Sequence, residues 1–455
     1  MNGTGETPRW NTGVFLILTA LLPLTVLLYG AVHPISLVLV YSLIGATALI
    51  TFTAKLLQSN TNLRVDGLSL PLFLIAAYCL LQIVPFGSGT VEGTGVTFRE
   101  TISVDVFWTM LSGVHFFSMG LFFILMQSML GVGDRVKRFE TAFIVLSIGY
   151  AFFAILQFII SPGKIYGVYE VVGASPFGSF VNRHNFAAII EMAIAIPLAM
   201  ILSGNLEKDR KFLFLVLSAA LGVALLMSGS RGGLVAFVCM VVLMLILVQR
   251  KKGGSRRSFG RQVVLIAVLF AGLIGGIAFV GGENTFSRVA STVKSEDFST
   301  NRIEIWDVTL DVIVEHMPFG AGFGAFRTAY APHDPTNGLQ RVEQAHNDYL
   351  QVVADGGLPG AAIGFIFLMF LFRTAKRALR VRDRLLRNLA LGVSCGIFAV
   401  LVHSIFDFVL HTTAVALVFL SQVAVLSVIA ARQTTEGETS SGPDSHIVEF
   451  GKIQT

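Results

Sequence analysis

The chain has 455 residues, of which 54% are hydrophobic and only 13% are charged, and its formal net charge is +5. A soluble domain carries about 25% charged residues. The composition therefore excludes an ordinary soluble domain and predicts a polytopic membrane protein. The positive charge indicates no nucleic-acid partner, because basic loops are expected on the cytoplasmic face of a membrane protein.

Twelve apolar runs are long enough for the roughly 20 residues that a membrane helix needs, and they predict an all-α fold. In chain order they are 13–31, 35–56, 68–86, 106–129, 140–160, 185–203, 212–229, 232–249, 262–281, 358–376, 388–406 and 409–431. The last two result from splitting a 44-residue apolar stretch at His403–His411, since it is too long for one span. The first run lacks a small-residue cleavage site, so we expect a span rather than a removable signal peptide.

The basic residues support an arrangement with both termini inside. In it, 24 of the 33 lysines and arginines lie in inside segments, as the positive-inside rule requires. The predicted organisation is a cytoplasmic N-terminus at 1–12, nine spans within 13–281, an outward-facing loop at 282–357, three spans within 358–431 and a disordered cytoplasmic tail at 432–455.

The long loop contains an amphipathic segment with helical periodicity. Its predicted apolar face is Ile303, Trp306, Leu310 and Ile313, and its predicted polar face is Glu304, Asp307, Asp311 and Glu315. A glycine-rich strip follows, from Pro318 to Phe326. No Lys-Ser/Thr pair follows those glycines, so they indicate a turn rather than a nucleotide loop.

His346 ends the loop and precedes a short apolar segment that Gly356 and Gly357 should break, with Pro359 suited to the first turn of the next span. This arrangement predicts a histidine at the outer mouth of the bundle. There an imidazole can remove a proton from a sugar hydroxyl near neutral pH. An interfacial histidine that merely caps a helix fits the position equally well.

Four arginines lie at predicted outer turns, helix starts or in the outer loop: Arg183, Arg231, Arg302 and Arg341. Guanidinium groups stay charged and bind phosphate oxygens in bidentate fashion. For any one of them, headgroup contact or loop solvation is the simpler explanation. Together they favour a site for a lipid pyrophosphate.

Two other functions fit parts of the sequence. His403, Asp407 and His411 have i, i+4, i+8 spacing, which on one helix would suit a metal, but the turn predicted there breaks the face, so we expect no metal. Twelve spans also suit a transporter or a lipid-linked sugar flippase. Against that class, the spans contain few midplane charges and no symmetric pair of broken helices.

The ordered motifs resemble those of the bacterial O-antigen ligases and O-antigen polymerases. The match rests on His346-Asn347, nine intervening residues, and then Gly357-Leu358-Pro359-Gly360. Supporting matches are Phe180–Asn185, Ser230–Gly233, and Arg302 with Trp306 followed by Pro318–Gly322. These motifs cover residues 180–360.

The resemblance implies a metal-independent, cofactor-free, inverting glycosyltransferase of the bacterial inner membrane. Such enzymes take a glycan from undecaprenyl pyrophosphate at the periplasmic face and pass it to a lipid A core sugar or to another lipid-linked glycan. His346 matches the essential histidine, and Arg231, Arg302 and Arg341 match pyrophosphate-binding arginines. The pattern around Arg183 is carried mainly by Asn182 and Asn185. In an inverting transfer of this kind, His346 would act as the base or orient the acceptor hydroxyl, and Asn347 and Asp348 would hold the histidine or the sugar.

Overall fold

The computed structural model describes residues 8–58, 63–90, 97–171, 175–203, 206–251, 260, 300–339 and 342–440. Most of them are helical, and ten helices within these ranges are long and apolar enough to cross a membrane. The strands in these ranges form two small antiparallel hairpins. The prediction of an all-α polytopic membrane protein is therefore confirmed.

The helices and strands have the following bounds: α1 Arg9–Leu27, α2 Pro34–Leu57, α3 Ser69–Gln82, β1 Gly87–Thr90, β2 Thr97–Glu100, α4 Val106–Leu130, α5 Arg135–Ile160, β3 Lys164–Ile165, β4 Tyr169–Glu170, α6 Arg183–Ser203, α7 Lys208–Met227, α8 Arg231–Lys251, α9 Thr300–Glu315, α10 Phe326–Tyr330, α11 Asp348–Ala378, α12 Arg384–His403 and α13 Thr413–Ser440. Short 3-10 helices cover Ala331–His333 and Val409–His411.

Ten of the twelve predicted spans correspond to these long apolar helices. The third, 68–86, is the 14-residue helix α3, which at 1.5 Å per residue extends about 21 Å and is shorter than a hydrocarbon core. The ninth, 262–281, lies outside the described residues. The last helix ends at Ser440, whereas the sequence placed its end at 431.

The two hairpins were not predicted. Strand β1 pairs with β2 from Gly87–Glu100 to Thr90–Thr97, and β3 pairs with β4 through Lys164–Glu170 and Ile165–Tyr169. Strands of two to four residues are too short for alternating hydrophobicity to reveal them.

Helix α6 is the most enclosed span, and its whole apolar window is buried. Helix α12 packs against it at Gly392 and Gly396, where a Cβ would lie 2.7 Å from the Ile196 Cα and 2.9 Å from the Met192 Cα. Small residues let membrane helices approach this closely. The contact holds the start of α6 beside the end of α12.

The strip predicted as a turn holds the loop to the bundle. The Ala321 and Gly322 N–H groups each donate to a carbonyl in the first part of α11, those of Ala354 and Asp355, at 2.9 Å. The Gln82 side-chain amide, at the end of α3, donates to the Asp355 carbonyl at 3.0 Å. The strip therefore joins α3 to the start of α11.

The predicted break in α11 is confirmed at Gly357, whose φ is 58° and ψ is −152°. This backbone conformation is essentially restricted to glycine. A Cβ there would also lie 2.2 Å from the Pro318 carbonyl oxygen. The break separates a short outer segment of α11, next to His346, from the apolar segment that follows.

The predicted apolar face of α9 is covered only in part. Ile303 and Leu310 are about half exposed, whereas Ile313 is buried together with Val308 and Val312. The Trp306 indole is half-buried, and its Nε1–H donates to the Ala345 carbonyl at 3.0 Å.

Candidate functional site

Asp407, in the turn that follows α12, is 1% exposed and lies at the centre of a polar cluster. Its Oδ2 is 3.1 Å from Nη2 of Arg302 and 3.3 Å from Nε2 of His184. Its Oδ1 is 3.6 Å from Nδ1 of His346 and accepts the Phe408 N–H at 2.8 Å. The start of α6, the start of α9 and the end of the loop thus meet at one carboxylate.

The basic neighbours of Asp407 keep it ionised. Burial alone would raise its pKa, because a carboxylate loses hydration there. His184, His346 and Arg302 outweigh burial and hold the pKa of Asp407 well below the usual carboxyl value. The Asp407 carboxylate is therefore a fixed negative charge at neutral pH.

His346 has a strained backbone, with φ at 50°. Non-glycine residues seldom adopt this left-handed conformation, and it costs of order 1–3 kcal/mol when the surroundings impose it. The ring packs edge-on against Phe408 at 4.9 Å between centroids and remains 32% exposed. The strain aims a partly accessible imidazole at Asp407.

The arginines predicted from sequence gather around this cluster where the structure describes them. Arg183 lies within electrostatic range of Arg231, Arg302 and Asp407. Arg302 is anchored by the Phe406 carbonyl as well as by Asp407. Guanidinium groups outnumber the carboxylate within this set, so the set favours a bound anion. Arg341 lies outside the described residues.

The starts of α6 and α8 are fixed by a shared serine. The Ser230 Oγ is 2.7 Å from Nδ1 of His184 and accepts the Gly233 N–H at 3.1 Å. Glycines follow because space is scarce: a Cβ on Gly232 would lie 3.1 Å from Cδ2 of His403. The Ser-Arg-Gly-Gly sequence thus brings Arg231 and the α8 N-terminus close to α6 and α12.

Asn347 and Asp348 follow His346 directly, and the structure shows a partner for each. The Asn347 side chain caps α11, accepting N–H bonds from Tyr349 and Leu350 at 3.0 and 3.1 Å. Asp348 lies 2.6 Å from Nδ1 of His411, Oδ1 to nitrogen.

The two asparagines near the start of α6 also differ from each other. The Asn182 Nδ2 approaches Oδ1 of Asp407 at 3.5 Å, so this side chain reaches the cluster. Asn185 is buried within α6, and its Oδ1 has no hydrogen-bond donor among the described residues. The structure thus brings Asn182, but not Asn185, to Asp407.

The sequence did not predict that His184 and Asp407 belong to one cluster. His184 lies inside the Asn-Arg-His-Asn motif, in which the sequence predicted a role only for the two asparagines and Arg183. Asp407 was considered only as a metal ligand. Two sequence features could have indicated these residues. One is a histidine between two motif residues, and the other is an aspartate in a predicted outer turn.

The proposed metal triad is separated by the turn predicted at that point. His403 faces Glu191, Asp407 faces Arg302, and His411 faces Asp348. Within the described ranges, no group of three His, Cys, Asp or Glu side chains is arranged to hold a metal ion. The three residues therefore do not form one site.

The fold and this cluster define a multi-pass membrane protein with a cationic polar site at one end of its helix bundle. Residues 213–365 match the family model of the O-antigen ligases. The match covers about a third of the chain and confirms the resemblance to the O-antigen ligase and polymerase family. It includes Arg231, Arg302 and His346 but neither His184 nor Asp407. A search of curated proteins found no match.

Proposed function

We propose that the protein is a membrane glycosyltransferase that moves a glycan from undecaprenyl pyrophosphate to an acceptor sugar at the periplasmic face of the bacterial inner membrane. The observation that carries this proposal is the Asp407 cluster. Asp407 faces His346 and Arg302, Arg183 lies within range of Asp407, and Arg231 lies within range of Arg183. A base and several phosphate-binding groups are the two requirements of this reaction.

The distribution of basic residues supports a periplasmic site. Helices α6, α8 and α11 begin at the cluster and run away from it. At the far end, α7 begins with Lys208, Arg210 and Lys211, and the α11–α12 turn contains Arg380 and Arg382. Basic loops favour the cytoplasm, so the cluster end is the outward one in this proposal.

The arginines stabilise the leaving group. As the glycosidic bond breaks, negative charge develops on the lipid pyrophosphate, and preorganised cations lower the barrier most where water is excluded. The N-termini of α6 and α8, which begin at Arg183 and Arg231, add partial positive charge that also favours an anion. The lipid carrier's apolar tail would remain among the spans.

His346 removes the proton of the acceptor hydroxyl in this mechanism. With the ring proton on Nδ1, which faces ionised Asp407 at 3.6 Å, the Nε2 lone pair is left for the acceptor. The hydroxyl oxygen attacks the anomeric carbon from the side opposite the pyrophosphate. The carbon therefore inverts its configuration, the lipid pyrophosphate departs, and the proton remains on His346.

The decisive experiment uses purified protein, a lipid-linked glycan and an acceptor, without an ion gradient. Product formation, retained when chelator is added, is expected. A protein that moves lipid-linked glycan across vesicle membranes but forms no glycosidic bond would be a flippase, and the proposal would be wrong.

The acceptor can be identified in a strain that lacks the protein. We propose that either a lipid A core sugar or another lipid-linked glycan accepts the chain. Accumulation of long, unattached glycan in the deletion strain would identify a ligase. Loss of long lipid-linked chains would identify a polymerase. Unchanged surface polysaccharide would contradict both.

A further inference from the structure

A buried carboxylate and imidazole lie beneath the site, and the mechanism above gives them no role. Glu191 on α6 and His403 at the end of α12 are both 0% exposed, with Oε1 and Nδ1 separated by 2.8 Å. Within the described residues, neither Glu191 oxygen nor the His403 Nδ1 makes a hydrogen bond of good geometry, so the two groups meet as a close ionisable pair. Ionisable groups inside a membrane bundle are costly and usually mark function.

Ser230 connects this pair to the site. Its Oγ lies 3.4 Å from Nε2 of His403 on one side and 2.7 Å from Nδ1 of His184 on the other. The His184 ring then reaches Asp407 through Nε2 at 3.3 Å. A continuous row of polar groups therefore runs from Glu191 to the carboxylate that faces His346.

The row is tightly enclosed. A Cβ added at Gly232 would lie 3.2 Å from Nε2 of His403, and one at Gly233 would lie 2.9 Å from Oε1 of Glu191. Side chains are absent at the two points where α8 crosses the row. The backbone of α8 consequently packs directly over these contacts.

Ionised Asp407 fixes the direction of the hydrogen bonds. It can only accept, so His184 donates from Nε2 and must accept at Nδ1 from the Ser230 hydroxyl. Ser230 in turn accepts from Nε2–H of His403. The Nδ1 of His403 then faces Oε1 of Glu191 at 2.8 Å. From Nε2 of His403 onward, every donor in the row is directed toward Asp407.

We propose that Glu191, His403, Ser230 and His184 form a positioning relay that holds Asp407 in the orientation in which its carboxylate faces Nδ1 of His346. The relay rests on the proposed function, because it acts on the base of that reaction. It makes the Nε2 lone pair of His346 the one presented to the acceptor. None of its four members touches the substrate.

Several other charged groups face the relay and enter any measured pH dependence. Asp348 and Asp407 lie within range of His403, and Arg183 and Arg302 lie within range of His184. His346 faces Asp407, and His411 pairs with Asp348. A change confined to the relay must therefore be recognised by comparison with variants that leave these groups intact.

Ser230→Ala tests the relay most directly, because it removes one buried hydroxyl and interrupts the row of polar groups at its middle. Groups that orient a functional imidazole are worth about 10–100-fold in metal enzymes, and we expect kcat for glycan transfer to fall by about tenfold or more with little change in KM. When His184 donates less strongly to Asp407, the carboxylate attracts the proton of His346 more strongly, and the protonated form of His346 is favoured. The acid limb of the kcat profile should therefore move to higher pH.

A second pair of variants tests Glu191, at the buried end of the row. Glu191→Met removes both oxygens and should reproduce the loss and the pH shift. Glu191→Gln keeps a donor for His403 and should lose less activity than Glu191→Met. Ser421→Ala and Glu140→Met are matched controls, because both side chains are buried in spans away from this row.

The outcomes separate the two proposals. Transfer by the wild-type protein together with an unaltered kcat and pH profile in Ser230→Ala and Glu191→Met would overturn the relay alone. Loss of activity that merely follows loss of folded protein, with the acid limb unmoved, would also overturn it. Absence of transfer by the wild-type protein would contradict the proposed function and the relay with it.

Discussion

Asp407 touches groups from three distant parts of the chain, and its own chemistry decides what those groups do. Arg302 is 105 positions away in sequence, and His184 and His346 come from two further segments. Since the carboxylate stays ionised, it can hold the guanidinium and set the proton position on the His346 ring at the same time.

Asp407→Asn should therefore impair catalysis rather than folding. The amide can donate as well as accept, so it no longer fixes Nδ1–H of His346 toward itself. The corresponding change in serine proteases costs about 10⁴-fold through the wrong tautomer, and we expect a loss of at least about 10²-fold in transfer rate. Asp311→Asn, at an exposed carboxylate of α9, is the control. Near-normal activity of Asp407→Asn would contradict the assigned role.

His346→Gln should remove the base while keeping a polar side chain. General-base catalysis contributes about 10²–10⁴-fold, and the transfer rate of purified enzyme should fall within that range. His333→Gln provides the control, since its partner, Glu315, belongs to the outer loop. Retention of full transfer by His346→Gln would remove His346 from the mechanism.

The His411–Asp348 pair predicts a pH-dependent contribution to stability. Burial alone would lower the pKa of His411, but Asp348 outweighs it and raises the pKa above 6.5. A raised folded-state pKa means that the contribution is complete below about pH 6.5 and is lost as pH rises through the folded value. The Tm difference between wild type and His411→Gln in detergent should shrink from pH 6 to pH 9. A difference that grows with pH would reverse this assignment.

Among the helices, the close contact of α6 with α12 supports the site. Gly396→Ala would place a Cβ 2.9 Å from the Met192 Cα, and overpacking of this kind typically costs about 1–3 kcal/mol. We expect a lower Tm and reduced transfer, because α6 leads from His184 and α12 leads to Asp407. Gly149→Ala, where a Cβ meets nothing within 4 Å, should leave both unchanged. Equal behaviour of the two variants would contradict this role of the contact.

The sequence predicted the membrane-spanning helices better than it predicted which side chains contact one another. Long apolar runs reveal spans because a bilayer imposes their length, and the break at Gly357 was visible as a pair of glycines before a proline. The pairing of His184 with Asp407 was not visible, since no periodicity links residues in separate helices. The apolar face of α9 was visible as a helical period, but that period does not show that Val308 and Val312 would be buried while Ile303 and Leu310 remain about half exposed.

For the whole molecule, the orientation of the site in the membrane is directly testable. In a variant without the three native cysteines, Leu339→Cys lies in the exposed outer loop and Arg382→Cys in the turn between α11 and α12. A membrane-impermeant maleimide should label the first in intact cells with a permeabilised outer membrane. It should label the second only after lysis. The opposite pattern would place the cluster in the cytoplasm.

The site is assembled from both sides of the segment that matches the O-antigen ligases. Asn182 and His184 precede that segment, and Asp407 follows it by more than 40 positions. A chain cut after residue 365 would keep Arg302 and His346 but lose Asp407, the carboxylate that both of them face. The recognisable third of this protein is consequently not a transplantable module, and domain swaps between relatives would have to exchange the C-terminal helices along with it.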